Sequence, residues 1–183
     1  IYASLFAAVI PMLVYLILIW KMDKYEREPL VFVLAHFLWG AFGAIALGVI
    51  GNLMLGDMTG IKDDGNGSLI QTILFAPVSE EIAKGVFLLF SVTSKKFDNV
   101  TDGLVYGGAI GLGFGMTENF TYFISYGSSP IDWLFLVIIR TGFSAVMHCI
   151  ATATFGAFLG LAKFSLSKIR SLYPVIGLLL AIF

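Results

Sequence analysis

Long apolar runs, separated by short polar connectors, constrain this chain more than any other feature. A helix needs about 20 apolar residues to cross the hydrocarbon core of a bilayer. Of the 183 residues, 58% are hydrophobic and only 13% are charged, whereas about a quarter of an average soluble domain is charged. The mean hydropathy is +0.93. The sequence therefore predicts an all-α, polytopic transmembrane helix bundle.

Six spans are predicted within a single domain covering residues 1–183. The apolar runs lie at about residues 1–20, 30–55, 69–92, 103–126, 131–163 and 172–183. The sixth run has only about 12 residues, which is shorter than a bilayer crossing. We therefore read the last helix as truncated and expect the natural protein to continue. Cys149 is the single cysteine, so an intrachain disulfide is excluded, and nucleic acid is not an expected partner because no basic patch lies outside the connectors.

The positive charges predict an orientation for these spans. Eight of them fall in the connectors after the first, third and fifth spans: Lys21, Lys24, Arg27, Lys95, Lys96, Lys163, Lys168 and Arg170. On the other side only Lys62 is basic, and Asp57, Asp63 and Asp64 surround it. Cytoplasmic loops carry an excess of Lys and Arg. We therefore expect a multi-pass protein of the cell membrane with its N-terminus outside and those three connectors in the cytoplasm.

Several ionisable residues lie inside the spans, where charge is costly. They are Glu80, Glu81 and Lys84 in the third span, Glu118 in the fourth, and Arg140 and His148 in the fifth, with His36 as a weaker, isolated member that we read as structural. A charge at a helix centre costs about 2.5–3.5 kcal/mol on insertion scales. Such groups are tolerated when they face the bundle interior and satisfy one another, so a functional site is the default explanation.

Helical spacing indicates how these residues meet. Lys84 lies one turn after Glu80, which predicts an i, i+4 ion pair. Two stripes of small residues run at four-residue steps: Gly107, Gly111 and Gly115 lead to Glu118 and Asn119, and Arg140, Ser144, His148, Thr152, Gly156 and Gly160 follow one face of the fifth span. Small residues allow helices to approach closely in lipid. We expect both stripes to face the third span and to bring Glu80, Glu118 and His148 together.

The cluster contains the groups that hydrolysis requires. A buried carboxylate can take a proton from water, so the candidate catalytic residues are Glu80, Glu81, Glu118 and His148. Lys84, Asn119, Arg140 and Thr152 are candidate supporting residues. Glu80, Glu118 and His148 also form a candidate zinc site of mixed carboxylate and imidazole ligands, although no HExxH motif is present.

The residues alone leave three classes of function open. A hydrolase, a proton- or cation-coupled transporter and a non-catalytic membrane adaptor all use ionisable groups of these types within spans. We see no convincing internal repeat of the kind that transporters usually have. The charged connector 21–28 is read as a solvated interfacial run. The oligomeric state stays open.

Taken in order along the chain, the motifs resemble the PrsW family of intramembrane proteases, which is grouped with the CAAX-prenyl endopeptidases. The motifs are Asp23-x-Tyr25-x-x-Glu28-Pro29, Glu80-Glu81-x-x-Lys84, Asp102-Gly-Leu-Val-Tyr-Gly, Gly-Leu-Gly-Phe114-Gly-Met-Thr-Glu118-Asn119, and His148-x-x-x-Thr152 followed by Gly156 and Gly160. Each motif is short, but their order and spacing are specific.

The resemblance implies a function and assigns residues to it. The family's paired acids correspond to Glu80 and Glu81, its second acid to Glu118 and its histidine to His148. It implies cleavage of a membrane-anchored protein such as an anti-sigma factor, by a protease classed as a probable metalloenzyme. The family's further His-Gly-x-x-Asp-like motif would lie beyond Phe183.

Overall fold

A computed structural model describes residues 1–23, 27–61 and 66–183. Lys24, Tyr25, Lys62, Asp63 and Asp64, which enter the charge and motif arguments above, lie outside the described residues. The described residues form helices and no strand. The prediction of an all-α helix bundle is therefore confirmed.

Six continuous helices make up the described part of the chain. They are α1 (Tyr2–Met22), α2 (Leu30–Thr59), α3 (66–91), α4 (Val100–Ser125), α5 (Pro130–Phe164) and α6 (Arg170–Ile182). Helix α4 begins about three residues earlier than its apolar run, because a capping box forms at its first turn. The Asp102 N–H donates to Asn99 Oδ1 at 3.0 Å, and the Asn99 N–H donates to Asp102 Oδ2 at 2.9 Å.

The outer faces of the bundle are apolar. Five exposed phenylalanines each keep more than 60% of their surface accessible: Phe6, Phe42, Phe90, Phe135 and Phe143. Within the described residues, α1, α2 and α5 are long and apolar enough to cross a membrane on length and composition. Large apolar surfaces of this kind are rare on soluble monomers. The chain is a membrane protein.

Helix α4 is the central element and packs against α1, α2 and α5. The glycines at 103, 107, 111 and 115 face α5 directly, whereas Gly113 faces α2. A Cβ built at Gly103 would lie 2.1 Å from the carbonyl oxygen of Gly156, and one built at Gly111 would lie 2.2 Å from that of His148. The expectation that both small-residue stripes face α3 is therefore wrong: they face each other, since two small-residue surfaces can approach more closely than either can approach larger side chains.

Three of the helices contain a π-helical turn in their interior, at Trp39–Ala44, Gln71–Phe75 and Arg140–Ser144. A π-turn adds one residue to the helical repeat and is frequent at functional sites. The turn at Arg140–Ser144 interrupts the predicted four-residue stripe of α5. Because of this turn, Arg140 projects in a different direction relative to His148 than a regular α-helix would give. Both residues contact the same carboxylate, that of Glu118.

The connector between α1 and α2 differs from its prediction as a solvated charge run. Asp23 and Glu28 are both buried. The Trp20 indole N–H donates to the Glu28 carbonyl oxygen at 2.8 Å, and the Tyr106 hydroxyl donates to the Glu28 carboxylate. Burial, with a further contribution from neighbouring Asp102, raises the pKa of Glu28 to about 7. Packing of this connector against α4 thus buries two acidic residues that the sequence pattern predicted to be exposed to solvent.

Candidate active site

The structure brings all eight candidate residues into one network of hydrogen bonds and ion pairs. Helix α3 supplies Glu80, Glu81 and Lys84, α4 supplies Glu118 and Asn119, and α5 supplies Arg140, His148 and Thr152. His36 makes no recorded contact with them: it is buried on α2, contacts Ser91 Oγ at 2.7 Å and stacks on Tyr106. Three helices therefore meet at a single polar centre.

Lys84 lies at the middle of this centre with its side chain fully buried. Its ammonium contacts Glu81 Oε1 at 2.6 Å and His148 Nδ1 at 3.0 Å, and it lies 3.8 Å from Glu80 Oε2. The predicted i, i+4 ion pair with Glu80 is therefore present, and a shorter contact is made with Glu81, three residues away. Thr152 on α5 donates to the other oxygen of Glu81 at 3.2 Å, so contacts from α5 favour the Glu81 pairing.

His148 connects the two halves of the network. An ammonium has only hydrogens to offer, so Nδ1 of His148 accepts from Lys84 and the ring proton of a neutral imidazole is on Nε2. That nitrogen lies 2.8 Å from Glu118 Oε2 and donates to it. The same oxygen accepts from Arg140 Nη2 at 2.6 Å. Lys84 therefore sets the tautomer of the imidazole that binds Glu118.

Arg140 holds Glu118 and its neighbour Asn119 together. Its Nε donates to Asn119 Oδ1 at 3.0 Å, and its guanidinium stacks on the Tyr122 ring at 3.6 Å. The other end of that amide, Nδ2 of Asn119, is buried and has no hydrogen-bond partner. Buried donors are almost always satisfied. The Asn119 amide is thus an unused donor on the residue that follows Glu118, although Asn119 is fully buried.

Glu80 and Glu118 line one cavity of about 200 Å³ between α2, α3 and α4. Their side chains are 24% and 23% exposed, whereas that of Glu81 is 5% exposed. No hydrogen bond to the Glu80 carboxylate is recorded within the described residues. Of the adjacent acids, Glu80 is thus the one whose lone pairs are available to water or a substrate.

Sequence reasoning missed a further residue of this cavity, Asn52 on α2. Its side-chain oxygen is buried and has no hydrogen-bond partner, and it shares the lining with Glu80 and Glu118. The sequence did contain a signal for this residue, since an asparagine lies inside an apolar span one turn after Gly48. A neutral amide carries no charge, so the cost of charge in lipid that singled out the other residues does not apply to Asn52.

Whether Glu80, Glu118 and His148 can bind zinc depends on what their ligand atoms already contact. Both ring nitrogens of His148 are engaged, by Lys84 and by Glu118, and Glu118 Oε2 also holds Arg140. Within the described residues, ligand atoms of Glu80, Glu118 and His148 do not gather within 4.8 Å of one another. In this arrangement the three residues do not fit a zinc ion, because two side-chain cations already neutralise the carboxylates.

Comparison with known proteins was made on sequence and on structure. The family model described as "PrsW family intramembrane metalloprotease" matches residues 28–183. No solved structure matches the chain.

Several curated relatives match most of the chain, and each is a protein named Protease PrsW. That of Bacillus subtilis is 28% identical, over 92% of this chain and 73% of its own length. Those of Geobacillus kaustophilus and Clostridioides difficile are each 30% identical, over 81% and 88% of this chain and 61% and 66% of their own lengths. The matched residues include the three helices that build the polar centre. The chain belongs to the PrsW protease family.

Proposed function

We propose that this chain forms the catalytic core of an intramembrane endopeptidase. Its substrate is a membrane-anchored protein such as an anti-sigma factor, cleaved at bilayer depth. The observation that carries the proposal is the shared cavity of Glu80 and Glu118, backed by Lys84, Arg140 and His148. The same proposal places the N-terminus outside and the connectors after α1, α3 and α5 in the cytoplasm, in agreement with the distribution of basic residues.

Glu80 acts as the general base in this proposal. It takes a proton from a water molecule in the cavity while the water oxygen forms a bond to the carbonyl carbon of the substrate. The peptide C–N bond then breaks, and the proton held by Glu80 passes to the leaving amine. Glu80 suits this role because its carboxylate is partly exposed and has only a 3.8 Å contact with Lys84.

The other residues position Glu80 and stabilise charge. Lys84 is held by Glu81, itself held by Thr152, and lies 3.8 Å from Glu80, where its positive charge attracts the carboxylate. Asn119 Nδ2 is the unused donor that we assign to the oxyanion on the substrate, since preorganised donors at developing charge lower the barrier in dry sites. Asn119 is buried and is not part of the cavity lining, so the assignment requires the bound substrate to reach past Glu118. Arg140 aims that donor by fixing the other end of the amide.

The reaction type has a direct test. Purified full-length protein in proteoliposomes, supplied with a single-pass substrate in water enriched in oxygen-18, is expected to yield two fragments. Mass spectrometry should find one oxygen-18 atom in the new carboxyl group, because the water oxygen forms the new bond. Ion flux in the same vesicles without any fragment would contradict the proposal and favour a transporter.

Zinc at Glu80, Glu118 and His148 remains the rival prediction, and we assign no step to it because the arrangement does not fit the ion. We expect metal analysis of the purified full-length protein to find no zinc that depends on His148. The measurement compares the wild type with His148→Ala after identical dialysis. Stoichiometric zinc in the wild type that disappears in the variant would restore the zinc site and overturn the assignment of Lys84 as the central cation.

A further inference from the structure

A second group of carboxylates lies away from the candidate active site. Asp23 follows α1, Glu28 precedes α2 and Asp102 lies in the first turn of α4, and all three are buried, Asp102 completely. One oxygen atom from each lies within 4.8 Å of the other two. Asp102 and Glu118 are sixteen residues apart on the same helix, or about 24 Å at 1.5 Å per residue. This cluster is thus separate from the cavity of Glu118.

The hydrogen bonds of Asp102 leave one of its oxygens unused. Oδ2 accepts from the backbone N–H groups of Asp98 at 2.6 Å and Asn99 at 2.9 Å, which caps α4. Oδ1 is buried and has no hydrogen-bond partner, although the Glu28 carboxyl group lies beside it. Among the described residues, the Glu28 carboxylate accepts from the hydroxyl of Tyr106. The recorded donors to these two carboxylates are therefore all neutral.

No lysine or arginine among the described residues forms an ion pair with Glu28 or Asp102. Taking a carboxylate out of water costs several kcal/mol per ion unless an opposite charge compensates it, and buried charges are paired or bind metals. The donor atoms are all carboxylate oxygens, with no imidazole or thiolate. Such a set suits hard cations such as Ca²⁺ and Mg²⁺ and not zinc.

We propose that Asp23, Glu28 and Asp102 bind one hard divalent cation, Ca²⁺ or Mg²⁺. The unused Asp102 Oδ1 is a ligand, and the ion joins the connector between α1 and α2 to the N-terminus of α4. The ion is structural: it holds two connectors together on the same side of the membrane. This proposal does not depend on the proposed hydrolysis.

Terbium luminescence tests the site in the full-length protein in detergent. Tb³⁺ occupies oxygen sites of this kind, and Trp20 lies close enough to sensitise it, because its indole N–H donates to the Glu28 carbonyl. We expect a saturable signal that Ca²⁺ or Mg²⁺ displaces, and the more effective competitor identifies the natural ion. Adding that ion should raise the thermal midpoint of unfolding, and EDTA should reverse the rise.

Two variants remove charge but keep the local hydrogen bonds. In Asp102→Asn the amide oxygen can still accept from the backbone N–H groups of residues 98 and 99, and in Glu28→Gln an acceptor remains for Tyr106. Each is expected to weaken Tb³⁺ binding at least about tenfold, in line with the loss of one charged ligand. The matched control is Asp132→Asn, an exposed acid at the start of α5 and outside this cluster, which should bind as the wild type does.

The proposal is overturned if the wild type gives no saturable signal and no shift of the thermal midpoint with either ion. It is equally overturned if Glu118→Gln abolishes the signal while Glu28→Gln and Asp102→Asn retain it, since the ion would then bind at the other acidic site. Because the wild-type titration decides the question by itself, a variant that fails to fold does not leave it unanswered.

Discussion

Replacing Glu80 by glutamine is expected to lower kcat for cleavage of a membrane substrate by about 10²–10⁴-fold, the range that general base catalysis supplies. Glutamine has the shape of glutamate but cannot take a proton from water. The KM should change little, because the variant keeps the lining of the cavity. The measurement is a fragment-release assay with full-length protein in proteoliposomes. The fold should survive, since the only recorded ion pair of Glu80 is its 3.8 Å contact with Lys84.

Asp132→Asn is the matched control for this experiment. Asp132 is an exposed acid at the start of α5, and asparagine can still accept hydrogen bonds from Ser128 and Ser129. It should cleave as the wild type does. The assignment of the base to Glu80 is wrong if Glu80→Gln remains active while a folded Glu81→Gln variant does not. That result would move the base to the more deeply buried acid.

Adding a single methyl group at Gly156 is expected to destabilise the bundle by about 3 kcal/mol, at the upper end of the cost of overpacking a core. A Cβ there would lie 1.9 Å from the carbonyl oxygen of Gly103, which belongs to the backbone of α4 and cannot move without shifting that helix. The measurement is the free energy of unfolding of Gly156→Ala in detergent. The helices that carry Glu118 and His148 would separate, so cleavage should fall as well.

Gly142→Ala provides a control of the opposite sign. A Cβ at Gly142 would meet nothing within 4 Å, and alanine is favoured over glycine in a helix by about 1 kcal/mol. This variant should therefore be neutral or slightly more stable. Equal destabilisation by both substitutions would contradict this prediction, because a Cβ at Gly142 meets no neighbouring atom and the loss at Gly156 could then not be assigned to the contact between α4 and α5. The close approach of the two helices would then not be a source of stability.

The candidate active site neutralises its acids with fixed side-chain cations. Lys84 and Arg140 lie within 2.6 Å of Glu81 and Glu118 respectively, and both are largely or fully buried. Removing either cation would leave a carboxylate uncompensated at bilayer depth, which is the costly case for a buried ion pair. The two cations thus account for how three acids and an imidazole are accommodated inside a helix bundle. Of the two acids that line the cavity, they leave Glu80 without a hydrogen-bonded cation among the described residues.

Composition and helical spacing determined much about this protein. Apolar runs fix an all-α membrane bundle, because only helices satisfy every backbone hydrogen bond within one segment in lipid. Ionisable groups inside those runs identified Glu80, Glu118 and His148 as one site, since each must find a partner away from lipid. The eight residues chosen on this basis all lie in one network.

Tertiary structure decided which residues pair with which. Spacing within α3 predicted the ion pair between Lys84 and Glu80, which is present at 3.8 Å, but it did not predict the shorter pair with Glu81, which Thr152 and His148 of α5 support. The burial of Asp23 and Glu28 against α4 was likewise absent from the local pattern, which placed both acids in water. Sequence periodicity shows which residues share one face of a single helix. The partner of a charged residue depends instead on which other helix packs against that face. In this bundle the packing of α4 on α5 is set by close contact between glycine surfaces that are far apart in the sequence.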